Sequence, residues 1–335
     1  MKPIDESKLG PPLKFYNGTV TLRFLEDEWT YYLVQEDGTL VKQDGVSKIT
    51  GIMDKPYLKP WAAKMMYLKM LRLMPREDSD DREAPMMTQS IPWQEFDRLL
   101  QDAKNAHAER LEDAGDVGHM AHTWIEASIL NAISFNQGVV EQMNEMAPTD
   151  ERAYSAGLAA HSWMVKHNVR WISTEKKIYS REYGYAGTKD GDALVDSCDD
   201  PGCCTRMFQD EYSLIDWKSS NQLSLEYLAQ TAAYQHAAEE EFPDQKYDAR
   251  WILRLSKEGD AKQPFEAWYE RDSKQDFDFY LGCLNLHRCH KAVEKRMSEQ
   301  KKLKTFRKRE EKKTVTAEKK EKLKFEKRLA KASKA

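Results

Sequence analysis

Four short groups of residues have the types and spacing that could hold a divalent cation and act on a phosphate. The segment SLIDWKSS, Ser213 to Ser220, sets Asp216 and Lys218 two positions apart. On an extended strand that spacing puts both side chains on one face. By itself, an acid beside a lysine is an ordinary ion pair. Upstream, GYAGTKDGDALVD carries Asp190 behind a Gly-Thr turn, at the start of what reads as the preceding strand. A hairpin would bring Asp190 next to Asp216. Two carboxylates converging from neighbouring strands offer the hard oxygen ligands that Mg2+ takes. Asp192 and Asp196 compete for this role but sit farther from the Gly-Thr turn, so Asp190 is preferred.

Two helical segments supply the remaining groups. In GHMAHTWIEASI, His122 and Glu126 stand four apart on one helical face. A lone histidine on such a face is usually a core residue; a glutamate beside it and an Asp…Asp-x-Lys set downstream favour a metal ligand. His119 lies a turn earlier, displaced around the helix. Glu175, in WISTEKKIYS, is a further acid that could line the site, although such a residue is usually exposed. After the lysine strand, Gln230 and Tyr234 are again four apart, set among alanines that let their helix pack closely on a sheet.

The elements that must position these groups follow from periodicity. Residues 14–44 alternate apolar and polar side chains and are broken by Asn17-Gly18 and Asp37-Gly38, which are hairpin signals. A β-rich N-terminal arm over 1–44 is expected. GVSKITG then reads as a short strand or turn, with a helix from about Lys59 whose first turn accommodates Pro60. The acidic REDSDDREAP reads as a loop. Residues 92–146 are helical in pattern, interrupted near Ala114-Gly115-Asp116, and another helix is expected over 150–166. VRWISTEKKIYS, GDALVD and YSLIDWKSS read as three strands, LSLEYLAQTAAYQHAAEEE as a helix, RWILRLS and FEAWYE as strands, with a helix from about Lys274. This order predicts an α/β domain over 45–290 with a mixed central sheet flanked by helices.

Charge is unevenly distributed. The stretch 291–335 holds 19 Lys and Arg against 7 Glu, an excess of twelve, so a total of -4 leaves -16 on the rest. That stretch lacks Gly and Pro and reads as a basic tail, helical or disordered. No run approaches the ~20 apolar residues of a membrane helix, and the polar N-terminus has no signal-peptide core, so a soluble, cytoplasmic protein is expected. Five cysteines, Cys198, Cys203, Cys204, Cys283 and Cys289, are too few and odd in number for a disulfide framework.

A His-x-x-x-Glu helix, a Gly-Thr-x-Asp strand, an apolar-Asp-x-Lys strand and a Gln-x-x-x-Tyr helix, in that order, resemble the RecB-like branch of the PD-(D/E)XK nucleases. The lead-in GVSKITGIMDKPYLKPWAAK looks like that of phage-encoded exonucleases in the group. The resemblance covers roughly residues 45–290 and implies a restriction-endonuclease-like core. It implies that His122, Asp190, Asp216 and the carbonyl of Trp217 bind a divalent metal, with Lys218 orienting or deprotonating the attacking water. Glu126 is carried over as a catalytic residue, at a position not uniformly acidic in the group, and Gln230 and Tyr234 as DNA-positioning residues. The activity implied is Mg2+-dependent DNA hydrolysis, with Mn2+ substituting, by an exonuclease of phage-type recombination, repair or replication. A single-strand annealing or recombination protein is the implied partner. The alternatives are a structure-specific endonuclease, or a non-catalytic DNA-binding accessory.

The chain departs from the group between its two acidic strands, where a long connection contains SCDDPGCC. No cysteine precedes Cys198, so the Fe–S pattern of some RecB-like nucleases is not matched. Cys198, Cys203 and Cys204, with His287 or His290, form an alternative Zn2+ set. The spacing has no C-x2-C pair, however, and free thiols that play no part in the chemistry are expected.

Overall fold

Among the described residues, nine strands and seven α-helices follow one another as β1 (Leu13–Phe15), β2 (Val20–Leu25), β3 (Thr30–Val34), β4 (Leu40–Gly45), α1 (Val46–Thr50), α2 (Leu58–Leu73), α3 (Trp93–Lys104), α4 (Ala106–Ser134), α5 (Glu151–Lys166), β5 (Arg170–Ser180), β6 (Tyr185–Val195), β7 (Glu211–Lys218), α6 (Leu225–Glu241), β8 (Ala249–Leu255), β9 (Phe265–Glu270) and α7 (Lys274–Ala332). They belong to a computed structural model that describes residues 4–53, 55–73, 92–144, 146–200, 203–204, 206–259 and 263–332, with side chains to 314 and at 316. The chain forms two compact units, Met1–Tyr280 and Leu281–Ala335. The first is α/β, a mixed sheet of mostly antiparallel strands flanked by helices. The acidic segment 76–85 lies outside the described residues.

The N-terminal arm forms as its alternation requires. Asn17 (φ 55°) and Gly18 (φ 84°) turn β1 into the antiparallel β2, and Gly38 (φ 80°) turns β3 into β4. Each turn needs a positive φ, which glycine adopts without a Cβ penalty.

The sheet forks at β6. Along one edge β6 pairs with β5 from Tyr185 to Leu194. Along the other it pairs with β4 at Tyr185 and Ala186, and with β7 from Gly191 to Val195. Residues 187–190 lie in the gap between these two partners, and Asp190 sits where the gap closes. β7 continues the sheet in parallel to β8, and β8 antiparallel to β9.

Helices cover both faces. Trp163 of α5 packs edge-on against Trp217 of β7 (5.6 Å) and Trp251 of β8 (5.4 Å), inside the main core with Ile215 and Leu253. Strand alternation turns the neighbours of Trp217, Asp216 and Lys218, to the opposite face, where α6 lies. The first turn of α7 is held by Arg250 of β8, fully buried and 2.6 Å from Asp276.

Several boundaries differ from those expected. Val46–Thr50 is a short helix rather than a strand or turn, with Val46, Ile49 and Thr50 buried at helical spacing. The break in the long helical stretch falls at Asn105, between α3 and α4. Ala114-Gly115-Asp116 lies inside α4, because a single glycine costs a long helix only about 1 kcal/mol. That helix ends at Ser134, short of 146. β6 begins at Tyr185, so Gly187-Thr188 is mid-strand and not a turn. The helix from Lys274 is unbroken to Ala332, so the basic segment is helical. Among the described residues, no helix is long and apolar enough to cross a membrane.

Candidate active site

A cleft of about 750 Å³ opens beside the fork in β6. Its walls come from the arm (Trp29, Tyr31), from α1 (Lys48), from α4 (His119, His122, Glu126), from β5 and β6 (Glu175, Asp190), and from α6 (Gln230, Tyr234). Helix α4 carries two stripes. Val117, Ala121, Ile125, Ile129 and Ala132 face the core, while His119, His122 and Glu126, displaced around the helix, face the cleft. A second, shallower cleft lined by Trp217, Lys218 and Ser219 adjoins the first across His122.

His122, Glu175 and Asp190 converge so that one ligand atom from each lies within 4.8 Å of the other two. Asp190 is fixed by its position in the fork. One carboxylate oxygen accepts the Trp217 backbone N–H at 2.7 Å and lies 3.9 Å from His122 Nδ1. Burial raises the Asp190 carboxyl above the usual range, against the pull of Lys218 and the Trp217 N–H. Burial also holds His122 neutral, down to about 4, helped by the positive charge of Lys218. A neutral imidazole and two carboxylates are a donor set suited to Mg2+ or Mn2+.

Glu175, a further acid that by sequence could line the site but would usually be exposed, stands among the closest groups. It has φ 49°, left-handed backbone inside a strand, a conformation that costs a non-glycine residue of order 1 kcal/mol. Burial, then the charges of Asp190 and Glu126, push its carboxyl up to about 8. Periodicity carries no sign of this residue, because its direction depends on one irregular backbone angle.

Asp216 lies beneath this group, 1 % exposed. Its Oδ2 makes no hydrogen bond of acceptable geometry, only a 2.7 Å charge contact with Lys218 Nζ. Burial and the neighbouring Asp190 push its carboxyl up to about 6, with Lys218 opposing. Burial lowers Lys218, but Asp216 and Asp190 more than offset it and hold the ammonium charged. Lys218 Nζ also donates to Gln230 Oε1 at 3.2 Å and lies 4.8 Å from the Tyr227 ring centre. Gln230 Nε2 donates in turn to Tyr234 OH (2.7 Å) and Ser47 Oγ (3.3 Å). The Gln-x-x-x-Tyr face of α6 is therefore one end of a buried chain reaching Asp216. It is admitted by Gly187, where a Cβ would come within 2.7 Å of the Tyr234 ring.

His122, Asp190, Gln230 and Tyr234 thus gather around the cleft, with Lys218 in the adjoining one and Asp216 buried beside it. Asp216 and Glu126 are outside the three-residue group; Glu126 lines the wall. Trp217 contributes the N–H on Asp190, and its ring points into the core. The rival acids are occupied elsewhere. Asp192 is buried among Lys189, Tyr247 (2.6 Å) and Ser173 (2.6 Å). Asp196 pairs with Arg170 at 2.7 Å, which holds its carboxyl well below the usual range. Neither a family model nor a curated protein matches the chain.

Proposed function

We propose that the protein is a divalent-metal-dependent DNA nuclease with a restriction-endonuclease-like core, acting as an exonuclease in phage-type recombination, repair or replication. The observation that carries this reading is the meeting of His122, Glu175 and Asp190 in one cleft, with Lys218, paired to the buried Asp216, in the adjoining cleft that shares His122. An imidazole and two carboxylates would hold Mg2+ or Mn2+ there, with Asp216 completing the negative charge behind them. When bound, the cation supplies charge neutralisation to a phosphodiester and acidity to a water.

The residues of the chain do the rest. Asp190 stays oriented through the Trp217 N–H. Lys218, held charged by two carboxylates, presents a fixed ammonium to the scissile phosphate and to the attacking water. A preorganised donor of this kind is worth several kcal/mol of barrier. Gln230 fixes the lysine from the side and Tyr234 fixes the glutamine. The arm contributes Trp29 and Lys42 to the cleft wall and α1 contributes Lys48, an aromatic face and two cations suited to a nucleic-acid backbone.

The test is incubation of the full chain with Mg2+ on labelled linear and circular duplex DNA, with and without EDTA. Loss of the linear form alone supports the exonuclease, nicking of the circle identifies an endonuclease, and full activity in excess EDTA rejects the metal mechanism.

A further inference from the structure

We propose that His167, Cys198, Cys203 and Cys204 bind one Zn2+ ion that ties the β6–β7 connection to the end of α5. This site is separate from the cleft and does not depend on the nuclease reading.

Three cysteines fall within the connection, and the fold brings their sulfurs to a histidine far from them in sequence. One ligand atom from each of the four residues lies within 4.8 Å of every other. Cys198 Sγ and Cys204 Sγ are 3.6 Å apart, and Cys203 Sγ is 3.3 Å from His167 Nε2. Zn–S near 2.3 Å and Zn–N near 2.0 Å give tetrahedral edges of about 3.5–3.8 Å, so these separations need little adjustment. His287 and His290, the histidines the sequence offers for this role, are not in the group; the histidine beside these cysteines is His167, the residue that caps α5.

The surroundings are those of a metal ligand set. His167 Nδ1 lies 2.9 Å from the carbonyl of Asp196, so it carries the proton and donates. That tautomer leaves the Nε2 lone pair facing Cys203, as the outer hydrogen bond of a metal-bound imidazole does. The Asp200 carbonyl accepts the N–H groups of both Cys203 (2.9 Å) and Cys204 (2.8 Å), folding the adjacent pair back over Cys198. The Cys198 N–H donates to Cys204 Sγ at 3.4 Å. His167 is fully buried, and Cys198 and Cys204 are each 8 % exposed. All three cysteines are free of disulfides.

Four protein ligands leave no position open, so the ion is structural. Binding releases the thiol protons to solvent. Its effect reaches the sheet through rings: His167 packs on Trp163 (5.2 Å) and Trp251 (5.0 Å), and Trp163 on Trp217. The ion would brace the layer behind the strand that carries Asp216 and Lys218.

The full chain, purified under reducing conditions, should contain one zinc per molecule by elemental analysis. Cys203→Ser should lose it, and Cys289→Ser should keep it. To separate loss of the ligand from misfolding of Cys203→Ser, the wild type is also stripped with a chelator and refilled. Its melting temperature should fall by several degrees and return with Zn2+ but not Mg2+, and Co2+ should give thiolate-to-cobalt charge-transfer bands. Zinc far below one equivalent with no Zn2+ effect on melting would overturn the proposal. So would iron with acid-labile sulfide, or a Cys198–Cys204 disulfide in the native protein.

Discussion

Asp216 and Lys218 show how two buried charges can sit beside an acidic cleft. Removing either leaves the other in low dielectric without its partner. In Lys218→Ala the two carboxylates would lose their cation and take up protons, which spares the fold. The expected outcome is a cleavage rate reduced on the order of 10²–10³ or more, with circular dichroism unchanged. A rate within a few-fold of wild type would remove Lys218 from the mechanism. The same carboxyls set a pH dependence. Metal ligands must be ionised, and Asp216 and Glu175 are raised to about 6 and about 8 by burial first. Protons therefore compete with the cation below these values, so Mn2+ affinity should climb between pH 6 and 8 and flatten above. His122, neutral down to about 4, contributes nothing in that window. For the metal-free protein the sign is opposite. A raised carboxyl contributes stability that is present below its ordinary value and lost as pH rises through the folded one. Melting without metal should therefore fall from pH 5 to above pH 8, and saturating Mn2+ should reduce that fall. A Mn2+ affinity independent of pH, measured by calorimetry, would exclude Glu175 as a ligand.

At the scale of elements, the fork in β6 and the approach of α6 decide where the groups stand. Gly187 lies in that fork, under the Tyr234 ring. Gly187→Ala must push the ring aside, and overpacking of this kind costs typically ~1–3 kcal/mol. The displacement passes from Tyr234 through Gln230 to Lys218. The variant should melt a few degrees lower and lose turnover out of proportion to that change. An equal loss in stability with full turnover would show that the α6 chain does not position Lys218. The strand pattern of the arm, the two hairpin turns and the helices α5 and α6 could be read from the sequence because their periodicity and punctuation are local. The short helix α1 and the break at Asn105 could not, since Val46–Thr50 is too brief to show a period and a single exposed glycine, Gly115, does not end a long helix.

Over the whole molecule, charge separates the acidic body from the segment beyond Lys291, which carries an excess of twelve positive charges. That segment is one continuous helix to Ala332, with residues 288–314 exposed. If it tethers the protein to DNA, each phosphate it neutralises adds a salt slope of about -0.9. Deleting 291–335 should raise the DNA concentration for half-maximal cleavage and flatten its salt dependence, while the rate at saturation stays within about two-fold. Unchanged DNA affinity with a lower melting temperature would instead assign the helix a stabilising role.

The sequence by itself determined the α/β order, the strand faces of Asp216 and Lys218, and the helical pairs His122/Glu126 and Gln230/Tyr234, because these rest on periods of 2 and 3.6 residues. Only the tertiary structure decided that Glu175 joins His122 and Asp190, that Asp192 and Asp196 are engaged elsewhere, and that His167 meets the three cysteines. Each of these depends on contacts between residues distant in the chain, and on one left-handed angle at Glu175. Local pattern has no access to either.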